Sequence, residues 1–139
     1  MEKISQFMLK EHANIIALIT DIETEKLDRN GVFLKFKSIE EKHIQAEEQA
    51  IFPFYCADRS FKIIETIILQ HQKIKDKLKE ICELMKNKQN FITQINSIKV
   101  LIKQNNNLEN KEFYFVLDKR LNPVKHKNMI EKIKEITTK

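Results

Sequence analysis

The chain is poor in the residues that break or cross-link a backbone. It has one glycine, two prolines, two cysteines and no tryptophan in 139 residues. So little Gly and Pro leaves room for few turns, which excludes a fold of many short strands and predicts a few long elements. Cys56 and Cys82 lie far apart and make no CxxC pair, so there is no recognisable zinc or redox motif. They read as two reduced, partly buried thiols of a cytoplasmic protein. Arginine is scarce too: Arg29, Arg59 and Arg120 are the only three, and none are adjacent. The formal net charge is +5, yet the lysines alternate with acids, as in Lys75-Asp76-Lys77-Leu78-Lys79-Glu80. That interleaving describes a solvated helix face, and no nucleic-acid partner is expected. No apolar run reaches membrane-spanning length, and the N-terminus leads into no signal-peptide core. The expectation is a soluble cytoplasmic protein with no membrane partner.

What is present favours helix. Lys, Glu, Leu and Gln are abundant, and apolar residues make up 42% against 32% charged, as in a single globular domain spanning 1–139. Four breaks are legible: a turn at Asp28-Arg29-Asn30-Gly31, a second between Pro53 and Ser60, a polar stretch from Lys86 to Asn90, and Asn122-Pro123. They delimit segments at about Lys3–Leu27, Val32–Phe54, Phe61–Met85, Phe91–Leu117 and Val124–Ile136. Apolar residues recur at helical spacing in each, for example Ile4, Met8, Ile15, Ile19 and Ile22, or Ile64, Ile67, Ile74, Leu78 and Ile81. Asn105-Asn106-Asn107 is poor helix material inside the fourth. Asn122 is placed to cap the short last helix. The predicted fold class is all-α: an antiparallel up-down-up-down four-helix bundle with a short C-terminal fifth helix.

Polar residues interrupt these stripes. His12 lies midway between Met8 and Ile16, His43 four residues after Ile39, and Glu47 four after His43; His71 falls between Ile67 and Ile74. Asn105, Glu109 and Glu112 continue the face of Ile98 and Ile102. Taken singly, each histidine reads as a hydrogen-bonded core residue, and His43 with Glu47 as a surface pair worth about 0.2–0.5 kcal/mol. Taken together, three of the four histidines fall on core faces of three different helices. Carboxylates buried beside imidazoles need compensation, and a cation supplies it. Such donors suit iron, manganese or zinc, and the unpaired cysteines argue against copper thiolate or iron–sulfur chemistry. There is no HExxH, so a hydrolytic zinc enzyme fits poorly.

At these positions the chain resembles the hemerythrin-like family, the HHE cation-binding domain. The resemblance is carried by Glu11-His12 in the first helix, by His43-Ile44-Gln45-Ala46-Glu47-Glu48-Gln49-Ala50-Ile51-Phe52-Pro53 in the second, close to HxxxEExxLFP, and by His71 in the third. It covers roughly Ile4 to Leu121. Setting Phe113-Tyr114-Phe115 against Ile51-Phe52-Pro53 puts Glu109 opposite Glu47 and Asn105 opposite His43. The family's fourth-helix histidine is therefore Asn105 here, and Glu112 is a further candidate ligand nearly one turn on. The second third-helix histidine of oxygen-carrying members is Lys75.

The resemblance implies a non-haem iron centre with two ions, one ion or another divalent metal being the alternative. His12, His43 and His71 would be terminal ligands, with Glu47 and Glu109 bridging. It implies a small diatomic ligand such as O2 or NO, with a role in oxygen binding or in oxidative or nitrosative stress, and a binding protein more than a dedicated enzyme. The competing expectation is a degenerate bundle with one metal or none, acting as a structural or interaction module. Tyr55 and Tyr114 lie near ligand-bearing segments; they read as boundary packing and are candidate proton donors on that ground alone.

Overall fold

The computed structural model describes residues 2–24, 28–55 and 61–138, with the side chains of Tyr55 and Phe61 excepted. Among these residues there are helices and turns and no strand. Helix α1 spans Ile4–Glu23 and buries Ile4, Met8, His12, Ile15, Ile19 and Ile22 on one stripe. Helix α2, Arg29–Ala46, begins earlier than expected and takes in Asn30 and Gly31. Gly31 is helical there, with no positive φ. A Cβ at residue 31 would run into the Asp28 carboxylate, which glycine lets sit at the helix N-terminus.

Helix α2 does not end at Ala46. Its next turn, Glu47–Ile51, is π-helical, with the Phe52 N–H bonded to the Glu47 carbonyl five residues back, and it runs on into α3, Phe52–Tyr55. Of the expected break between Pro53 and Ser60, residues 56–60, Cys56 and Arg59 included, lie outside the described residues. Helix α4 spans Phe61–Lys86. It stops without glycine: Lys88 adopts φ 55°, and the Gln89 N–H bonds to the Leu84 carbonyl at 2.9 Å.

The expected fourth segment is two helices, α5 at Ile92–Glu112 and α6 at Tyr114–Arg120, parted at Phe113 (φ −118°, ψ −62°). The asparagine run does not break α5. Asn105 is buried, and its amide donates to Gln70 Oε1 on α4 at 2.8 Å, a tertiary contact that offsets poor propensity. Helix α7, Pro123–Thr137, starts as expected, with the Asn122 side chain accepting from the Lys125 N–H at 2.8 Å.

Helix α1 packs against α2 and α5, and α4 against α5 and α2, so the four long helices enclose one interior. Helix α7 lies on α2 and the π-helical turn. The interior is not uniformly apolar. One cluster gathers Ile4, Met8, Ala46, Ile51, Ile67, Phe113 and Leu117, joined by Met129, Ile130 and Ile133 of α7. A second gathers Ile15, Ile19, Phe33, Phe36, Ile74, Ile81, Ile98 and Ile102. Along each long helix the sequence passes from one cluster to the other through a buried polar residue: His12 on α1, His43 on α2, His71 on α4, Asn105 and Glu109 on α5. A polar layer thus lies between two apolar halves. No described helix is long and apolar enough to cross a membrane.

Candidate metal centre

The polar layer brings five of the expected ligand residues together. His12 and His43 meet at Nε2–Nε2 3.0 Å. His12 Nε2 lies 3.3 Å from Glu109 Oε1, and His71 Nε2 lies 3.4 Å from Glu109 Oε2, so the two oxygens of Glu109 face different imidazoles. Glu47 Oε1 lies 3.1 Å from His43 Nε2 and 3.5 Å from His71 Nε2. All five side chains are buried. Two groups of potential metal donors result, His12–His43–Glu109 and Glu47–His71–Glu109, each with its ligand atoms within 4.8 Å of one another.

The helical register explains the convergence. His43 and Glu47 are one turn apart, and the π-helical turn begins at Glu47 itself. Such widened turns are frequent at functional sites, where the extra residue re-aims side chains. Here adjacent carboxylates serve opposite nitrogens of one ring: Glu47 faces His71 Nε2, while Glu48 Oε2 lies 3.2 Å from His71 Nδ1. Lys75 in turn holds the other Glu48 oxygen at 3.2 Å. Glu11 Oε1 plays the same part for His43 Nδ1 at 3.4 Å. The Phe52 ring stacks on His71 with 11° between the planes. With Nδ1 donating outward to a carboxylate, Nε2 is the nitrogen that would offer its lone pair to a metal in the interior once its proton is displaced.

The electrostatics describe a tightly coupled, proton-rich cluster. Burial opposes a charged His71, but its contacts with Glu109, Glu47 and Glu48 carry its pKa up to about 12. His43 is likewise raised well above the usual imidazole value, the pull of Glu47 and Glu11 outweighing burial. Burial acts to raise Glu47, yet its contacts with Glu109, His43 and His71 hold it well below the usual carboxylate range. Glu109 is raised, by burial and then by the Glu47 charge. A cation would displace these protons, as metal ligation by imidazole and carboxylate requires.

The residues present fit a metal. Glu47 Oε1, His71 Nε2 and Glu109 Oε2 are buried and converge on one another at 3.4–3.5 Å without a well-aligned hydrogen bond, and His12 Nδ1 is buried with no partner. Buried polar atoms are rarely left so. Three nitrogen and two carboxylate donors form a set suited to iron, manganese or zinc.

Two expected ligands sit differently. Asn105 is buried in the same layer, but its amide is engaged with Gln70. Glu112 is exposed in the last turn of α5 and takes no part in the cluster. The break at Phe113 hands the inward positions to Phe113 and Tyr114 instead, both buried. Tyr114 is therefore not boundary packing. It is fully buried, with its hydroxyl 3.0 Å from Glu47 Oε2, 3.1 Å from Glu109 Oε1 and 3.3 Å from His12 Nε2. The Tyr55 side chain lies outside the described residues.

Sequence reasoning also passed over Glu11, Glu48 and Glu40. Glu40 is buried three residues before His43, and its Oε2 has no partner. Burial raises its pKa to about 7, against the opposing pull of His43 and His71. Its signal was available, since residues 36, 40, 43 and 47 share one helical face.

Buried imidazoles and carboxylates delivered by separate helices to one layer define a helical bundle with donor groups that could hold a cation. The family model of the hemerythrin HHE cation binding domain matches residues 3–117, and the chain belongs to that family. Helix α7 lies beyond the matched stretch. No curated protein and no solved structure matches the chain.

Proposed function

We propose that this protein holds a pair of iron ions between the four long helices, running up and down in alternation, and binds a diatomic ligand such as O2 or NO there. The observation that carries the reading is the sharing of Glu109 by two donor groups. One of its oxygens faces His12 and the other His71, the disposition of a carboxylate that spans two cations. Glu47, set against both His43 and His71, supports a second bridge. Iron, when bound, would supply a Lewis-acidic and redox-active centre for a small ligand.

The chain's own residues bias that centre. The first group offers two imidazoles and the second only His71, because Asn105 stands where a further imidazole is expected and is engaged elsewhere. An ion beside His71 would thus keep coordination positions for an exogenous ligand. A surface groove lined by Leu9, His12 and Ile16 of α1 and by Asn106 and Asn110 of α5 supports access from solvent to the His12 side of the layer. The apolar clusters on both sides of the layer exclude bulk water, which strengthens the electrostatic grip of every donor.

The test is reconstitution with ferrous salt, followed by metal analysis and optical spectroscopy. Two irons per chain, near-ultraviolet bands after oxidation that change with azide, and a nitrosyl signal on adding NO to the reduced protein are expected. Failure to take up iron by a folded protein would refute the reading and leave a structural module, with Asn105 as the physical reason.

A further inference from the structure

The donor count of the centre changes if a sixth side chain is included. We propose that Tyr114 is itself a metal ligand, binding through its phenolate oxygen beside His12, Glu47 and Glu109. The inference rests on the metal-binding reading above.

The argument is geometric. Ligands about 2.1 Å from one ion and at right angles to each other are about 3.0 Å apart, and wider angles separate them a little more. The five imidazole and carboxylate donors meet at 3.0–3.5 Å along the edges of the cluster. The Tyr114 hydroxyl meets three of them at 3.0, 3.1 and 3.3 Å, so it occupies a vertex of the same polyhedron. It belongs with the first group, sharing His12 and Glu109 with it. Its route there is fixed by the fold. The backbone break at Phe113 ends α5 and starts α6 at Tyr114 one turn past Glu109. The ring is wholly buried and packs against His12, with centroids 5.6 Å apart.

On binding, one metal–oxygen bond forms and the hydroxyl proton leaves to solvent, so the phenolate adds one negative charge. A hard anionic oxygen favours trivalent over divalent iron. Tyr114 would therefore add an anionic donor to the ion beside His12 and shift it towards its oxidised state, while the ion beside His71 still lacks the imidazole that Asn105 replaces.

The chain has only two tyrosines, Tyr55 and Tyr114, which makes the test clean. Protein is loaded with ferrous salt, oxidised in air and assayed for iron, visible absorption and resonance Raman scattering. A visible phenolate-to-iron charge-transfer band, with tyrosine ring modes enhanced on excitation within it, is expected. Tyr55→Phe should retain the band and Tyr114→Phe should lose it while still holding iron. Iron bound with no such band, or a band that disappears in Tyr55→Phe, overturns this inference and leaves the metal-binding reading intact. No iron bound overturns both. Where Tyr114→Phe does not fold, Tyr55→Phe made with ring-deuterated tyrosine decides: Tyr114 is then the sole tyrosine, and its ring modes either shift with the label or are absent.

Discussion

Replacing Glu48 by alanine isolates what an outer carboxylate contributes to the centre. Glu48 touches none of the inward-facing donor atoms; it accepts from His71 Nδ1 at 3.2 Å and leaves Nε2 facing Glu47 and Glu109. Removing the outer partner of a ligating histidine weakens metal binding 10–100-fold, which is about 1.4–2.8 kcal/mol. The 3.2 Å separation is longer than that of a strong charge-assisted bond, and the Glu48 side chain is 29% exposed, which places the expected loss near the lower end, about tenfold. The Lys75–Glu48 ion pair is lost as well, but it is partly exposed and changes fold stability by no more than about 1 kcal/mol. Glu48→Gln keeps an acceptor and should fall between wild type and alanine. Glu11→Ala, which removes a longer 3.4 Å contact to His43, should cost less than Glu48→Ala. The assay is competition for iron against a chelator of known affinity at fixed pH, with the melting temperature of the metal-free variants as a control. An affinity for Glu48→Ala within twofold of wild type, or a larger loss for Glu11→Ala, would refute the reasoning.

Glu40 predicts a pH signature in the metal-free protein. Its pKa rises from 4.5 to about 7 on folding, so the unfolded chain releases this proton first and stability falls as pH climbs through that window, by up to roughly 3 kcal/mol. Glu40→Gln should therefore stabilise at pH 8 and do little at pH 5, read by urea denaturation at both; an equal effect at the two pH values would count against it. Ile98→Ala, wholly buried in the second apolar cluster, should destabilise by about 2–5 kcal/mol with the iron stoichiometry unchanged. Asn122→Ala removes the acceptor of the Lys125 N–H and should cost about 1 kcal/mol, with faster amide exchange confined to the start of α7.

Much of the architecture was legible because a 3.6-residue period leaves a direct mark on composition. The stripes of α1 and α4 located those helices to within a few residues, and His12, His43, Glu47 and His71 stood out as polar interruptions of them. What escaped were departures from that period. A π-helical turn at Glu47–Ile51 and a break at Phe113 are set by tertiary packing, and both change the phase of everything after them. A continuous helix through Phe113 gave Tyr114 no inward role, and the break turns it inward; Glu112 lies before the break and is exposed on the regular winding of α5, three residues past the buried Glu109. Glu48 carries no signal in the helical pattern, because it directly follows an inward residue. Its carboxylate nevertheless reaches a neighbouring helix, a contact that no pattern within α2 records.

The π-helical turn also governs how the centre can be moved or altered. One residue more than an α-helical turn needs is housed between Glu47 and Phe52, and its effect is paid out at a single imidazole gripped from both sides. Winding the same residues as an unbroken α-helix would rotate α3 by about 100° relative to α2, because the π-helical turn uses one residue more than an α-helical turn. Phe52 would then swing off His71, and the apolar contacts of Ile51 would turn towards solvent. Copying the ligand side chains onto a regular four-helix scaffold would accordingly reproduce the chemistry of the donors without their aim, unless the extra residue travelled with them.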